Sequence, residues 1–351
     1  MPGPFFIGGD EEDRTPDLRI ANATLSQLSY VPEKSRKFYQ GPLSGMGVHE
    51  PRLTCAPAGV PAWALEEPMP LDDPAWLDAQ YNNRARVPEH SQHLARWAES
   101  SALARSNLNC QLDVRYGEHP GETLDVFAAK QANAPVLVFI HGGYWRALDK
   151  SDVSFVAPAL VDAGAAVVVP NYALCPAVTI ETIALQLTRA LAWAYRHAGE
   201  HGGDPQRIAV AGHSAGGHLA AMMLSCRWKE VGDDLPPRLV SGAMSISGLY
   251  DLEPVRLTPF LQADLQLTPQ AVKRLSPAFF PRPRGTLYSL AGLDESDEFL
   301  RQNQLIRDQW GPTSVPVCET VVGRNHFTVL HDLADPACRP HELALRLLGL
   351  R

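Results

Sequence analysis

The stretch "RIAVAGHSAGGHLAAMML", Arg207–Leu224, decides the architecture. Its first part, "RIAVA", is a short β-branched and apolar run that reads as a buried strand, and "AGGHLAAMML" reads as a helix. Between them "GHSAG", Gly212–Gly216, matches G-x-S-x-G. A strand that turns sharply into a helix forces its central residue into a strained backbone conformation, and the small neighbours Gly212, Ala215 and Gly216 relieve the crowding. Ser214 then stands exposed at the end of the sheet, beside a helix N-terminus whose partial positive charge favours a developing oxyanion.

A serine hydroxyl is a poor nucleophile until a base removes its proton, so a histidine oriented by a carboxylate must follow. The expected chain order is Ser, then Asp or Glu, then His. Asp294 follows the strand "GTLYSLAG" and His326 follows the strand "PVCETVVG". Asp294 is the expected acid because it sits closest to the strand end; Glu295, Asp297 and Asp251 are its rivals. His326 is the expected base. His331 and His341 fall in helical segments, His213 is expected to point away from the elbow, and His218 lies a helical turn beyond it.

Working outward, "VLVFIHGGYW", Val136–Trp145, is a second strand that ends in a polar histidine and two glycines. Glycines at a strand end imply a backbone that bends sharply or lies close to something. Gly142 and Gly143 are expected to bring N–H groups to the carbonyl oxygen of a substrate, with Ala215 supplying another from the residue after the nucleophile. His141 is expected to fix this loop, and Tyr144 and Trp145 to wall a small pocket, with ordinary packing as the alternative for both.

The remaining chain alternates apolar strands ("AAVVVPNY", "RLVSGAMSIS") with amphipathic helices. One helix places Ile180, Ile183, Ala184, Leu187, Leu191 and Ala194 on a single face. That alternation predicts a mainly parallel sheet covered on both faces. Ahead of it, "CQLDVRYG" and "ETLDVFAA" read as two strands joined by a hairpin-like loop, and residues 70–107 read as helical and broken at Pro88, with Asp72 or Asp73 as cap before Pro74. The catalytic core is expected over 108–351, within one domain spanning 61–351.

Residues 1–60 lack any sustained period and read as a disordered or non-native extension. The segment "EDRTPDLRIANATLSQLSY" resembles a peptide at the start of unrelated bacterial proteins where a stable-RNA gene has been translated, which places the native start at Met46; a genuine flexible extension is the alternative.

A formal net charge of −8 with no long Lys/Arg run argues against nucleic acid or anionic membrane as partner. The six cysteines are far apart and read as reduced thiols, not as a zinc or disulfide framework. No run is long enough to span a membrane and the N-terminus lacks the pattern of a secretory signal, so the expectation is a soluble cytoplasmic protein. Neither a cofactor nor a metal is expected; the partner is a small ester or amide, and oligomeric state is left open.

Together "HGGYW", "GHSAGGHLAA", "ISGLYDLEPV", "DESDEFLRQN" and "NHF" resemble the α/β-hydrolase esterases, in particular the hormone-sensitive-lipase-like branch and the kynurenine formamidase (arylformamidase) group. The likeness runs from about Pro70 to the C-terminus and includes "YNNRARVPEH". It implies an α/β-hydrolase fold with an N-terminal helical cover, Ser214–Asp294–His326 as triad, and Gly142, Gly143 and Ala215 as oxyanion donors. The implied reaction is hydrolysis of an aryl formamide or a short-chain ester through an acyl-enzyme. A general carboxylesterase, an acyltransferase and a non-catalytic binding protein on the same fold are the alternatives.

Overall fold

A computed structural model describes residues 69–351; the expectations for residues 1–60 and the start at Met46 lie outside the described residues. Three helices come first: α1 (Pro74–Tyr81), α2 (Asn83–Arg86) and α3 (His90–Asn107). Asp73 caps α1, its Oδ1 accepting from the N–H groups of Ala75 (2.9 Å) and Trp76 (3.3 Å), and Pro74 occupies the position where a missing N–H costs nothing.

Eight strands follow: β1 (Cys110–Arg115), β2 (Thr123–Phe127), β3 (Ala134–Ile140), β4 (Ala166–Pro170), β5 (Gly203–His213), β6 (Val240–Ile246), β7 (Thr286–Gly292) and β8 (Val317–Val321). They form one sheet in the order β1-β2-β4-β3-β5-β6-β7-β8. The pairs β1–β2 and β2–β4 are antiparallel, and every pair from β4 to β8 is parallel. All residues of β3 and β4 are buried, which is why both read as unbroken apolar runs: a parallel strand covered on both faces has no solvent side to alternate with.

The connections supply that cover: α4 (Ala157–Asp162), α5 (Ile180–His197), α6 (Ala215–Leu224), α7 (Trp228–Val231), α8 (Glu253–Leu257), α9 (Pro259–Leu265), α10 (Pro269–Leu275), α11 (Asp297–Ser314), α12 (Thr328–His331) and α13 (Arg339–Leu347). Residues of β3 alternate between two cores. Val136, Val138 and Ile140 pack with α1, α5, α6 and α11, while Leu137 and Phe139 pack with α3, α4 and α13. The six apolar residues expected on one face of α5 are all buried. Thr179 caps that helix, its Oγ1 accepting from the Thr182 N–H at 3.2 Å.

The N-terminal helices are docked on the sheet, not merely tethered to it. Tyr81 and Trp97 are almost fully buried, and each aromatic ring taken from water contributes a few kcal/mol. The Tyr81 hydroxyl donates to Glu298 Oε2 (2.5 Å) on α11, and Arg301 holds the same carboxylate with two N–H groups. Among the described residues no helix is long and apolar enough to cross a membrane.

Candidate active site

β5 runs straight into α6, and Ser214 is the hinge. Its backbone lies at φ 58°, ψ −119°, a conformation L-residues adopt only under constraint. The constraint is local packing: the Ser214 N–H donates to the Ile246 carbonyl on β6 at 2.8 Å. The flanking glycines are required by close approach of backbone. A Cβ on Gly212 would overlap the Gly216 carbonyl, and one on Gly216 would overlap the Ile140 carbonyl of β3. Gly216→Ala is therefore expected to destabilise the fold by about 3 kcal/mol, because only backbone can yield. An unchanged urea midpoint would show that the elbow can relax.

His326 follows β8. Its Nδ1 lies 2.6 Å from Glu295 Oε2, and both side chains are buried. The other carboxylate oxygen, Oε1, accepts from the Ser247 hydroxyl and from the Gly292 N–H, each at 2.6 Å. This corrects the expected acid. Asp294 is exposed, and its backbone N–H donates to the Arg324 carbonyl. The chain leaving β7 closes a tight turn, with the Glu295 N–H donating to the Gly292 carbonyl at 3.2 Å, and that turn swings position 295 inward and 294 outward. The longer glutamate side chain then reaches back to His326 from a site beside the strand end.

The other histidines sort by their contacts. His331 Nε2 accepts from Trp97 Nε1 at 3.2 Å, and His341 Nδ1 donates to the Leu333 carbonyl. His218 donates through Nε2 to the Leu275 carbonyl at 2.7 Å, and burial lowers it to about 4. His213 does not point away from the site. It lines the cavity, its ring centroid is 4.7 Å from that of His326, and its Nε2–H donates to the His326 carbonyl at 2.8 Å. Burial, and then the neighbouring His326, hold it well below the ordinary histidine value, so it is a neutral donor that ties the elbow to the histidine loop.

His141, like His213 and His218, is buried with a lowered pKa, its burial outweighing the hydrogen bonds that would favour the charged form. In the folded protein these three stay neutral, whereas in the unfolded chain each takes up a proton near pH 6.5. Below that pH the unfolded state binds more protons, so stability falls as pH falls, by up to about 1.4 kcal/mol per pH unit for each histidine. The urea midpoint is expected to be level from pH 8 to 7 and to drop steeply between pH 6.5 and 5; a level midpoint down to pH 5 would mean that these rings protonate in place.

The loop after β3 presses against the elbow. A Cβ on Gly142 would lie 2.7 Å from the His213 carbonyl oxygen and 3.1 Å from Ser214 Cβ. Gly143 has φ 96°, and Tyr144 (51°) and Trp145 (56°) continue in the left-handed region. His141 fixes this bend: its ring stacks on Tyr172 at 4.1 Å, with Nδ1 2.9 Å from the Gly142 carbonyl and Nε2 3.0 Å from Asn171 Oδ1. The Tyr172 hydroxyl reaches both the His141 and Gly142 carbonyls, at 2.9 and 3.2 Å. Among the described residues the Gly143 N–H finds no acceptor. Ala215 is the first residue of α6, where a helix leaves its N–H free.

Ser214, His326, Gly143 and Tyr144 line one cavity of about 430 Å³. Trp145 does not. It is fully buried behind the loop, edge-on to His218 at 5.0 Å, so the expected second wall is core. Its place is taken by Trp97 and Leu94 of α3, Phe260 of α9 and Phe327, none of which the sequence singled out. Leu94 and Trp97 lie one helical turn apart on α3, a spacing that signals a buried face without saying what it covers.

With this geometry in view, the likenesses to known proteins fall into one pattern. The BD-FAE family model matches residues 124–237, the span from β2 through the elbow. A kynurenine formamidase of Danio rerio is 30% identical over 288 residues, 78% of this chain and 96% of its own length. Esterase LipC of Mycobacterium tuberculosis is 34% identical over 154 residues, 42% of this chain and 38% of its own length. Among solved structures, a Silicibacter protein described as a candidate thioesterase superposes with TM-score 0.68 at 31% identity, covering 75% of this chain and 97% of its own. A Pyrobaculum calidifontis esterase superposes at 0.57 with 18% identity, covering 79% and 98%, a likeness of fold. An eight-stranded, mostly parallel sheet with a strand–Ser–helix elbow and a relative matched over nearly its whole length lead to one conclusion: the chain is an α/β-hydrolase and belongs to the kynurenine formamidase family.

Proposed function

We propose that the protein is a serine hydrolase that cleaves an aryl formamide of the N-formylkynurenine kind, through an acyl-enzyme on Ser214. The observation that carries this reading is that the strained Ser214 and the Glu295-held His326 line one cavity. Glu295 accepts from Nδ1–H of His326, which leaves Nε2 unprotonated and able to take the Ser214 proton. Ser214 Oγ then bonds to the formyl carbon. The carbonyl oxygen becomes an oxyanion that the N–H groups of Gly142, Gly143 and Ala215 receive, each such donor contributing about 3 kcal/mol to the transition state.

His326 passes the proton to the departing aryl amine as the carbon–nitrogen bond breaks. Water, deprotonated in turn by His326, attacks the formyl-serine and releases formate, returning the proton to Ser214. His141 and Tyr172 keep the donor loop rigid, so no reorganisation is needed as charge develops. The acyl side is narrow: Gly142 packs against Ser214, and Tyr144 is pinned by its hydroxyl to the Tyr81 carbonyl at 2.6 Å, which suits a formyl or acetyl group. Aromatic side chains from α3, α9 and the histidine loop suit an aryl leaving group.

The apolar share of that lining also supports a second reading, a short-chain carboxylesterase. kcat/KM for N-formylkynurenine beside p-nitrophenyl acetate, with Ser214→Ala as the blank, separates the two. Preference for the formamide is the expected result; preference for the ester with little formamide turnover moves the assignment to carboxylesterase and leaves the acyl-enzyme mechanism standing.

A further inference from the structure

We infer that Arg146 and Asp264 are positioning residues for the oxyanion donors: by clamping α9 to the loop after β3, they hold that loop in the strained form that presents the Gly143 N–H. The inference rests on the hydrolase reading above and deepens it. Between Gly143 and Leu148 the left-handed region recurs, with φ 96° at Gly143, 51° at Tyr144, 56° at Trp145 and 72° at Leu148. Tyrosine, tryptophan and leucine all disfavour that backbone, so contacts must hold the loop in place. Two anchors fix its centre: the Trp145 carbonyl accepts from the Cys175 N–H at 2.8 Å, and the Tyr144 hydroxyl donates to the Tyr81 carbonyl at 2.6 Å.

Arg146 supplies a third. Its backbone N–H donates to the Gly143 carbonyl at 3.1 Å and closes the turn that starts at the donor. Its guanidinium reaches out of the loop to α9, where Nη1 pairs with Asp264 and donates to the Phe260 carbonyl at 3.1 Å. The same guanidinium lies 5.4 Å from the centroid of the Phe260 ring, within cation–π range. Phe260 is also in contact with the other walls. Its ring meets Tyr144 edge-to-face at 5.9 Å, and its N–H donates to Asp78 Oδ1 of α1 at 3.3 Å. Donor loop, α9 and helical cover therefore join at one residue, and the Arg146–Asp264 pair is the polar clasp across that join.

Both side chains are part-exposed, 27% for Arg146 and 35% for Asp264, and a pair of this kind adds little to global stability. Its leverage is local. A strained loop relaxes when a restraint is removed, and a shift of about 1 Å at Gly143 takes a donor N–H out of line with the oxyanion. Arg146 and Asp264 also line the cavity, and a direct contact with the leaving group would give losses that change with the leaving group. A misplaced donor gives the same loss for every substrate, because each passes through an oxyanion.

The test compares Asp264→Asn, Arg146→Gln and the double variant on N-formylkynurenine and p-nitrophenyl acetate, whose leaving groups are unlike. Each single variant is expected to lower kcat about tenfold on both substrates with KM nearly level, and the double variant to lose no more than either single. Arg146→Lys, which keeps the charge, should recover most of the loss, and raising NaCl to about 1 M should slow the wild type but not Asp264→Asn. A trifluoromethyl ketone, whose adduct with Ser214 places an oxyanion among the same donors, should bind about tenfold more weakly to both single variants. Asp234→Asn, which breaks an exposed ion pair with Arg196 outside the cavity, should change none of these. Unchanged kcat in Asp264→Asn, a loss confined to one substrate, or losses that multiply in the double variant overturn the clasp. Absence of Ser214-dependent turnover on both substrates would instead sink the hydrolase reading. Amide hydrogen exchange over residues 143–148 then still decides the clasp: faster exchange in Asp264→Asn supports it, and unchanged exchange refutes it.

Discussion

Ser214→Ala is expected to lower kcat/KM by about 10⁴- to 10⁶-fold while leaving the urea midpoint almost unmoved. Both halves follow from the geometry. In the proposed mechanism the hydroxyl oxygen is the atom that bonds to the acyl carbon, so nothing in the cavity substitutes for it. Stability is spared because the strain at φ 58° belongs to the backbone and is the same for alanine, and the elbow is held by main-chain contacts to β3 and β6 that the substitution does not touch. Activity within tenfold of wild type would exclude the acyl-enzyme on Ser214. A large loss of stability would mean that the hydroxyl holds the fold as well.

The second large effect separates two neighbouring carboxylates. Glu295→Gln is expected to cut kcat by about 10⁴-fold and Asp294→Asn to change it less than twofold. An amide at 295 can still accept from Ser247 and the Gly292 N–H through its oxygen, but it then turns an NH2 toward His326 Nδ1. The imidazole must flip to the tautomer that carries its proton on Nε2, and it can no longer take one from serine. Asp294 is exposed and plays no part in that contact. The reverse outcome, a large loss in Asp294→Asn alone, would restore the expected acid. Glu295→Asp adds a measure of reach: a side chain one methylene shorter keeps the charge but cannot hold Ser247 and His326 together, and should fall between the other two.

Much of the site was legible because its causes are local. The elbow depends on the steric demands of five consecutive residues, and G-x-S-x-G between an apolar strand and a helix states those demands directly. The paired glycines after β3 were readable for the same reason, since a missing Cβ at a strand end announces a close approach. The buried strands and the face of α5 follow from periodicity, which reports burial whatever the partner is.

What tertiary structure alone decided is convergence between distant segments. Which of two adjacent carboxylates meets His326 depends on a turn that rotates the chain by one residue after β7, and on Ser247 arriving from β6 to hold the winner. Tyr144 faces the cavity and Trp145 the core because three successive left-handed residues bend the loop, a geometry that side-chain type does not encode. His213 became a support for the His326 loop, and α1 to α3 became the wall opposite the nucleophile, through contacts more than a hundred residues apart. The sequence determined which chemistry could be assembled, because elbow, donor loop and histidine each carry their own steric signature. Only the fold decided which side chains complete it, because a hydrogen bond between separate loops is set by packing and leaves no pattern in either loop.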